Sequence, residues 1–96
     1  MSIQLLKDAA AGVASTYEDV HSCGRNPVSI RVSAKGSNAG DLVNMQQSPD
    51  SGTSWFDIGQ VAVPGELVIE DPLDWVRAVA DGGNSGTVTC FIDTSA

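Results

Sequence analysis

The groups able to do acid–base, nucleophilic or metal chemistry are few and dispersed. His21 is the one histidine. A serine–histidine–aspartate relay would have to use it, yet it opens the turn-rich stretch His21–Pro27, where a lone imidazole reads as solvated. Glu70, Asp71 and Asp74 are the closest grouping of carboxylates around a turn. Paired carboxylates serve general acid–base catalysis, and calcium needs six or more converging oxygens. With Pro72 among them, a solvated turn accounts for all three. Cys23 and Cys90 are the two thiols. There is no Cys-x-x-Cys pair and too little histidine for a zinc site, and in a cytoplasmic chain two such thiols are expected to stay reduced rather than pair. Gly82-Gly83 lacks the lysine and helix that follow a phosphate-cradling loop. The expectation is a chain that is no enzyme, with no catalytic residue, no metal and no cofactor.

The most specific stretch is Ser48-Pro49-Asp50-Ser51-Gly52-Thr53-Ser54-Trp55. Gly52 supplies the tolerance of positive φ that a tight turn needs. Asp50 supplies a short carboxylate able to accept loop amides, and Ser48 and Ser54 are placed to bond across the loop. Trp55 folds a large apolar ring onto the hairpin base. Turn chemistry accounts for every one of these residues, so Ser48, Asp50, Gly52 and Trp55 are expected to lock a hairpin rather than hold a ligand.

Stepping outward, the elements around this turn are strands. Val28 to Lys35 alternates strictly, with Val28, Ile30, Val32 and Ala34 on one face and Ser29, Arg31, Ser33 and Lys35 on the other, as in a sheet buried on one side. Leu42 to Ser48 places Val43 and Met45 against Asn44 and Gln46. Trp55 to Ile58 resumes the pattern up to Gly59, and Val61–Val63 continues a weaker strand to the turn Pro64-Gly65. Glu66 to Glu70 sets Leu67 and Ile69 against Glu66, Val68 and Glu70. Trp75 to Ala80 and Thr87 to Asp93, joined by Asp81-Gly82-Gly83-Asn84-Ser85-Gly86, read as a second hairpin. Ile3–Asp8 reads as a first strand, and Tyr17–Val20 as a short one. About seven or eight antiparallel strands spaced by turns predict an all-β chain, a single small β-sandwich spanning residues 1–96.

If Val76, Ala78, Val88 and Cys90 face the core, Trp75, Val79 and Phe91 face away from it. With Arg77 among them, they are the expected partner interface. The net charge of −7, from 12 acidic and 5 basic residues, argues against nucleic acid and anionic membrane, because Lys7, Arg25, Arg31, Lys35 and Arg77 are scattered. No apolar run approaches the ~20 residues of a membrane span. The first residues lack the basic start and apolar core of a secretory signal, so synthesis in a cytoplasm is expected. A chain of 96 residues has a thin stability margin, which self-association or a partner would widen.

The octapeptide resembles the Asp-box, Ser-x-Asp-x-Gly-x-Thr-Trp, with Ser54 where threonine is usual. The propellers that repeat this motif blade by blade need ~40–45 residues per blade, so neither their fold nor a sialidase activity is expected here. A wider resemblance covers most of the chain. It rests on the opening Gln4-Leu5-Leu6-Lys7-Asp8-Ala9-Ala10, on Val43-Asn44-Met45-Gln46-Gln47 leading into the octapeptide, and on Trp75-Val76-Arg77-Ala78-Val79 followed by a Gly-rich turn and Thr87-Val88-Thr89-Cys90. In this layout the chain looks like the small β-sandwich virion proteins that decorate or cement the capsid of tailed bacteriophages. That resemblance implies a structural virion protein, an oligomer bound to the major capsid protein lattice. The alternatives are a tail or neck component, or a carbohydrate- or receptor-binding module whose Trp55, Trp75 and Tyr17 stack on a ligand. The Cys23, Trp55 and Cys90 spacing does not fit an immunoglobulin domain.

Overall fold

In the computed structural model of the chain, residues 2–15, 18–19, 29–50, 52–70 and 75–94 are described. The fold is all-β. Its strands are β1 (Ser2–Ala9), β2 (Glu18–Asp19), β3 (Ser29–Gly36), β4 (Leu42–Ser48), β5 (Phe56–Ala62), β6 (Gly65–Glu70), β7 (Trp75–Ala80) and β8 (Val88–Thr94). Every pairing is antiparallel. Two sheets form, in the orders β1-β8-β3-β6 and β2-β7-β4-β5. The pairs 1·8, 2·7, 3·6 and 4·5 are those of a jelly roll, the β-sandwich obtained by rolling an eight-strand hairpin into two Greek keys.

Alternation decides which side of each strand is buried. β3 contributes Ile30, Val32 and Ala34 to the core, β8 contributes Val88, Cys90 and Ile92, and the opposite sheet sends in Val43, Met45, Val76, Ala78 and Ala80. Apart from Met45 these are short β-branched or small side chains, suited to two closely stacked sheets. Full burial of each larger one is worth about 1.5–3 kcal/mol. Leu67 and Ile58 are half-buried and pack against this core from the edge strands.

Three details differ from the sequence expectation. First, Gly59 does not end its strand. Met45 pairs with Gly59 and Gln46 with Asp57, so Ile58 is an extra residue, a bulge inside a continuous β5. A side chain at Gly59 would run into Leu67, so the glycine lets the edge strands β5 and β6 approach. Second, Asp81–Gly86 is not a hairpin turn. β7 already lies between β2 and β4, and β8 between β1 and β3, so neither has a free edge for the other and the loop crosses between sheets. Third, Thr89 is buried rather than solvent-facing, because the Asp8 main chain covers it and donates its N–H to Thr89 Oγ1 at 3.0 Å. Asp8 has φ 45° and lies where β1 slips register between Leu6 and Ala9. Aspartate tolerates that left-handed conformation better than most residues.

Candidate functional site

The hairpin between β4 and β5 is closed by short-range bonds. The Ser48 hydroxyl donates to Asp50 Oδ1 at 2.7 Å and accepts from the N–H groups of Asp50 and Gly52 at 3.2 and 3.0 Å. The Ser54 N–H donates to the same Asp50 oxygen at 2.8 Å. Gly52 has φ 90°, which a residue with a Cβ adopts only with strain. The Ser48 bond, then the Ser54 amide, hold the Asp50 carboxyl below its ordinary range. Ser48 is fully buried although it points to the outer side of its sheet, since the turn folds over it. Ser48, Asp50 and Gly52 thus form one bonded unit at the hairpin mouth, with Trp55 at its exit.

The expected partner patch is divided. Trp75, Arg77 and Val79 stand on the outer face of the β2-β7-β4-β5 sheet, in register with Ser48, Gln46 and Asn44. Phe91 stands on the outer face of the other sheet, paired with Gln4 and Ser33. The whole sandwich lies between them, because β7 and β8 belong to different sheets. Ala14 bridges Val79, and the segment around Gly12 to Ser15 bonds along the β7 edge.

What surrounds Arg77 was not expected. Its guanidinium carbon lies 4.3 Å from the centroid of the Trp55 ring, a cation–π contact. Arg77 Nε donates to Gln46 Oε1 at 2.8 Å, and Gln46 Nε2 donates to Asp57 Oδ1 at 2.9 Å. Beside this rung runs a second. Gln60 Nε2 donates to Asn44 Oδ1 at 2.7 Å, and Asn44 Nδ2 donates to Asp81 Oδ1 at 3.0 Å. The Asn44 bond, then the Gly83 amide, hold the Asp81 carboxyl below its ordinary range. Two rungs of planar polar side chains therefore cross the sheet from β5 through β4, one to Arg77 on β7 and the other to Asp81 just past its end. Asn44 and Gln46 were legible as the wet face of β4. The bulge at Ile58 hid that Asp57 and Gln60 share that face.

No protein-family model and no curated protein matches the chain.

The opposite end of the sandwich is held by a second carboxylate centre. Asp41 is 8% exposed; its two oxygens accept the N–H groups of Ser85 and Gly86 at 3.2 and 2.8 Å. Asn84 binds the Leu42 main chain through both halves of its amide, at 2.7 and 2.8 Å. It thereby stands in for a strand partner. Beside this centre is an open hollow of about 260 Å³ lined by Asp8, Lys35, Gly36, Ser37, Thr87 and Thr89. Cys90 is a free, buried thiol whose pKa burial pushes up to about 12, which removes it from nucleophilic chemistry at neutral pH. Among the described residues no group of His, Cys, Asp or Glu converges as a metal site. His21, Cys23, Asp71, Asp74 and Tyr17 lie outside the described residues.

Proposed function

We propose that the chain is a structural virion protein of a tailed bacteriophage, one that decorates or cements the capsid by binding the major capsid protein lattice. The observation that carries the reading is the wall formed by β5 and β6. These are the outermost strands of the two sheets on one side of the sandwich. Phe56 on β5 is 55% exposed and Val68 on β6 is 53% exposed, and Ile58 and Leu67 lie half-buried between the wall and the core. Apolar residues on two strands that end their sheets among the described residues fit contact with another protein surface. The wall is a different surface from the expected interface of Trp75, Arg77, Val79 and Phe91, which the fold divides between the two sheets. Docking would bury it and add stability by linkage, at about 25 cal/mol per Å² of apolar area removed from water. The jelly-roll order recurs in viral capsid domains and in lectins; that likeness is of fold and does not by itself assign a role.

Electron microscopy of purified particles made with and without the chain tests the proposal. The expected result is capsid-surface density that vanishes without the chain and returns when purified protein is added back. A Phe56→Ser, Val68→Ser double variant is expected to fold and fail to rebind. Absence of the chain from particles, or its location at a tail or neck, overturns the capsid assignment.

A further inference from the structure

We infer that the outer face of the β2-β7-β4-β5 sheet is a binding platform for a neutral saccharide chain, made by the two side-chain rungs and the Arg77–Trp55 pair. The proposal is independent of capsid binding and uses a different surface from the β5–β6 wall.

The chemistry of the face selects the ligand. Asn44 and Gln46 each spend one donor and one acceptor on their rung. An amide side chain has two donor hydrogens and two acceptor lone pairs, so each retains a hydrogen and a lone pair beyond its rung. Gln60, exposed at the end of its rung, retains more. A sugar hydroxyl donates and accepts at once, and it matches such paired capacity where a purely apolar or purely ionic ligand does not. The rungs sit two residues apart along β4, about 7 Å, so hydroxyls of one extended oligosaccharide reach both rungs. Bonds within each rung fix the side-chain rotamers before a ligand arrives, which lowers the entropy cost of binding. Arg77 holds the Trp55 ring in place, and Trp75 is the next residue along the same face, in register with Ser48. Both indoles are half-buried, giving apolar area beside the amides.

Charge argues for a neutral ligand. Asp57 and Asp81 already accept from amides, and Arg77 is engaged by Gln46 and Trp55. The chain carries a net charge of −7, which repels uronates and other acidic sugars. A protein partner fits this face less well, because Asp57 and Gln60 are exposed on it while Trp55, Trp75 and Val79 are half-buried.

The test applies the full chain to a printed array of oligosaccharides, neutral hexose and N-acetylhexosamine chains beside uronate-containing ones, followed by tryptophan fluorescence titration with the neutral oligosaccharide retained best. The expected result is retention of neutral chains and a saturating fluorescence change. Gln60→Ala and Asn44→Ala are each expected to weaken binding by about tenfold, the equivalent of one good polar contact. Gln60 is exposed, so its variant keeps the fold and reads the site even where Arg77→Ala does not fold. The Phe56→Ser, Val68→Ser variant is expected to bind saccharide as the wild type does, which separates this site from the wall. Three results overturn the inference: no neutral chain retained, retention of acidic chains alone, or Gln60→Ala and Asn44→Ala binding as tightly as wild type.

Discussion

The Asp50 turn and the Asp81 crossover lie at opposite ends of the same two strands, for Ser48 pairs with Trp75 at one end and Val43 with Ala80 at the other. Each is a Gly- and Asp-containing loop, and each follows a strand with one apolar face. Their bonds are nevertheless of different kinds. The Asp50 turn closes on itself, through contacts two and four residues apart. The crossover is tied down chiefly by distant partners: Asn84 to Leu42, Ser85 and Gly86 to Asp41, Asn38 to Ser85, and Thr87 to Ser37, at separations of 42 to 50 residues. A turn returns the chain to the strand it has just left. A crossover must carry it to the other sheet, and bonds from neighbouring loops fix where it lands.

This difference sets an order of sensitivity. The largest effect is expected for Asp41→Ala, which removes a buried carboxylate that accepts from two part-buried main-chain donors and should cost about 3 kcal/mol. Urea unfolding monitored by circular dichroism measures it; a loss under about 1 kcal/mol would mean that the crossover is anchored elsewhere. Ser48→Ala comes next, at about 2 kcal/mol, because its hydroxyl serves the N–H groups of both Asp50 and Gly52 in a fully buried position. Asn84→Asp is expected to cost about 1–2 kcal/mol. The carboxylate keeps the acceptor for the Leu42 N–H but replaces the donor facing the Leu42 carbonyl. Amide exchange should divide the same way, with Asn84→Asp speeding exchange at Leu42 while the amides of Gly52 and Ser54 keep their protection.

The same distinction explains what could be read in the sequence. Alternation in β3, β4 and β8 placed the core face because burial with period two is local information. The Asp50 turn was legible for the same reason, since Ser48, Asp50, Gly52 and Ser54 sit within a few residues of one another. The Asp81 loop carries equally good turn residues, which by themselves predict a hairpin. Turn chemistry reports that a chain reverses, not which sheet receives it. Whether β7 had a free edge depended on β2 and β4, far away in sequence. The expected interface was divided for the same reason. Trp75, Val79 and Phe91 share an outward orientation, but placing β8 in the other sheet put Phe91 on the far side of the molecule. The contact of Arg77 with Trp55 and the rungs through Asn44 and Gln46 needed the register of three strands and the bulge at Ile58, none of which short-range spacing encodes. Asp41 and Asn84 were hidden because their partners, Ser85 and Gly86 for the first and Leu42 for the second, are far away in sequence.

The smallest expected effect is also the one that tests whether the two carboxylate loops act independently. Hydrogen bonds hold both Asp50 and Asp81 below their ordinary value of 3.8, Ser48 being the main cause for the first and Asn44 for the second. A carboxyl with a depressed folded pKa stabilises the fold fully above its unfolded value, and that contribution is lost as the pH falls through the depressed one. Both loops should therefore weaken in acid, below the unfolded carboxyl range, and neither should change between neutral and mildly acidic pH. Both groups are open to solvent, so each loss is small. The urea midpoint is expected to fall on acidification, and Asp50→Asn and Asp81→Asn should each remove part of that fall. Because these loops lie at opposite ends of β4 and β7 and share no partner, the double variant should remove the sum of the two parts. Added salt should change little, since both carboxylates are held by hydrogen bonds rather than by ion pairs. A double variant that departs clearly from the sum would mean that the sheet between the loops couples them, and the contrast between a self-contained turn and an externally anchored crossover would then have to be given up.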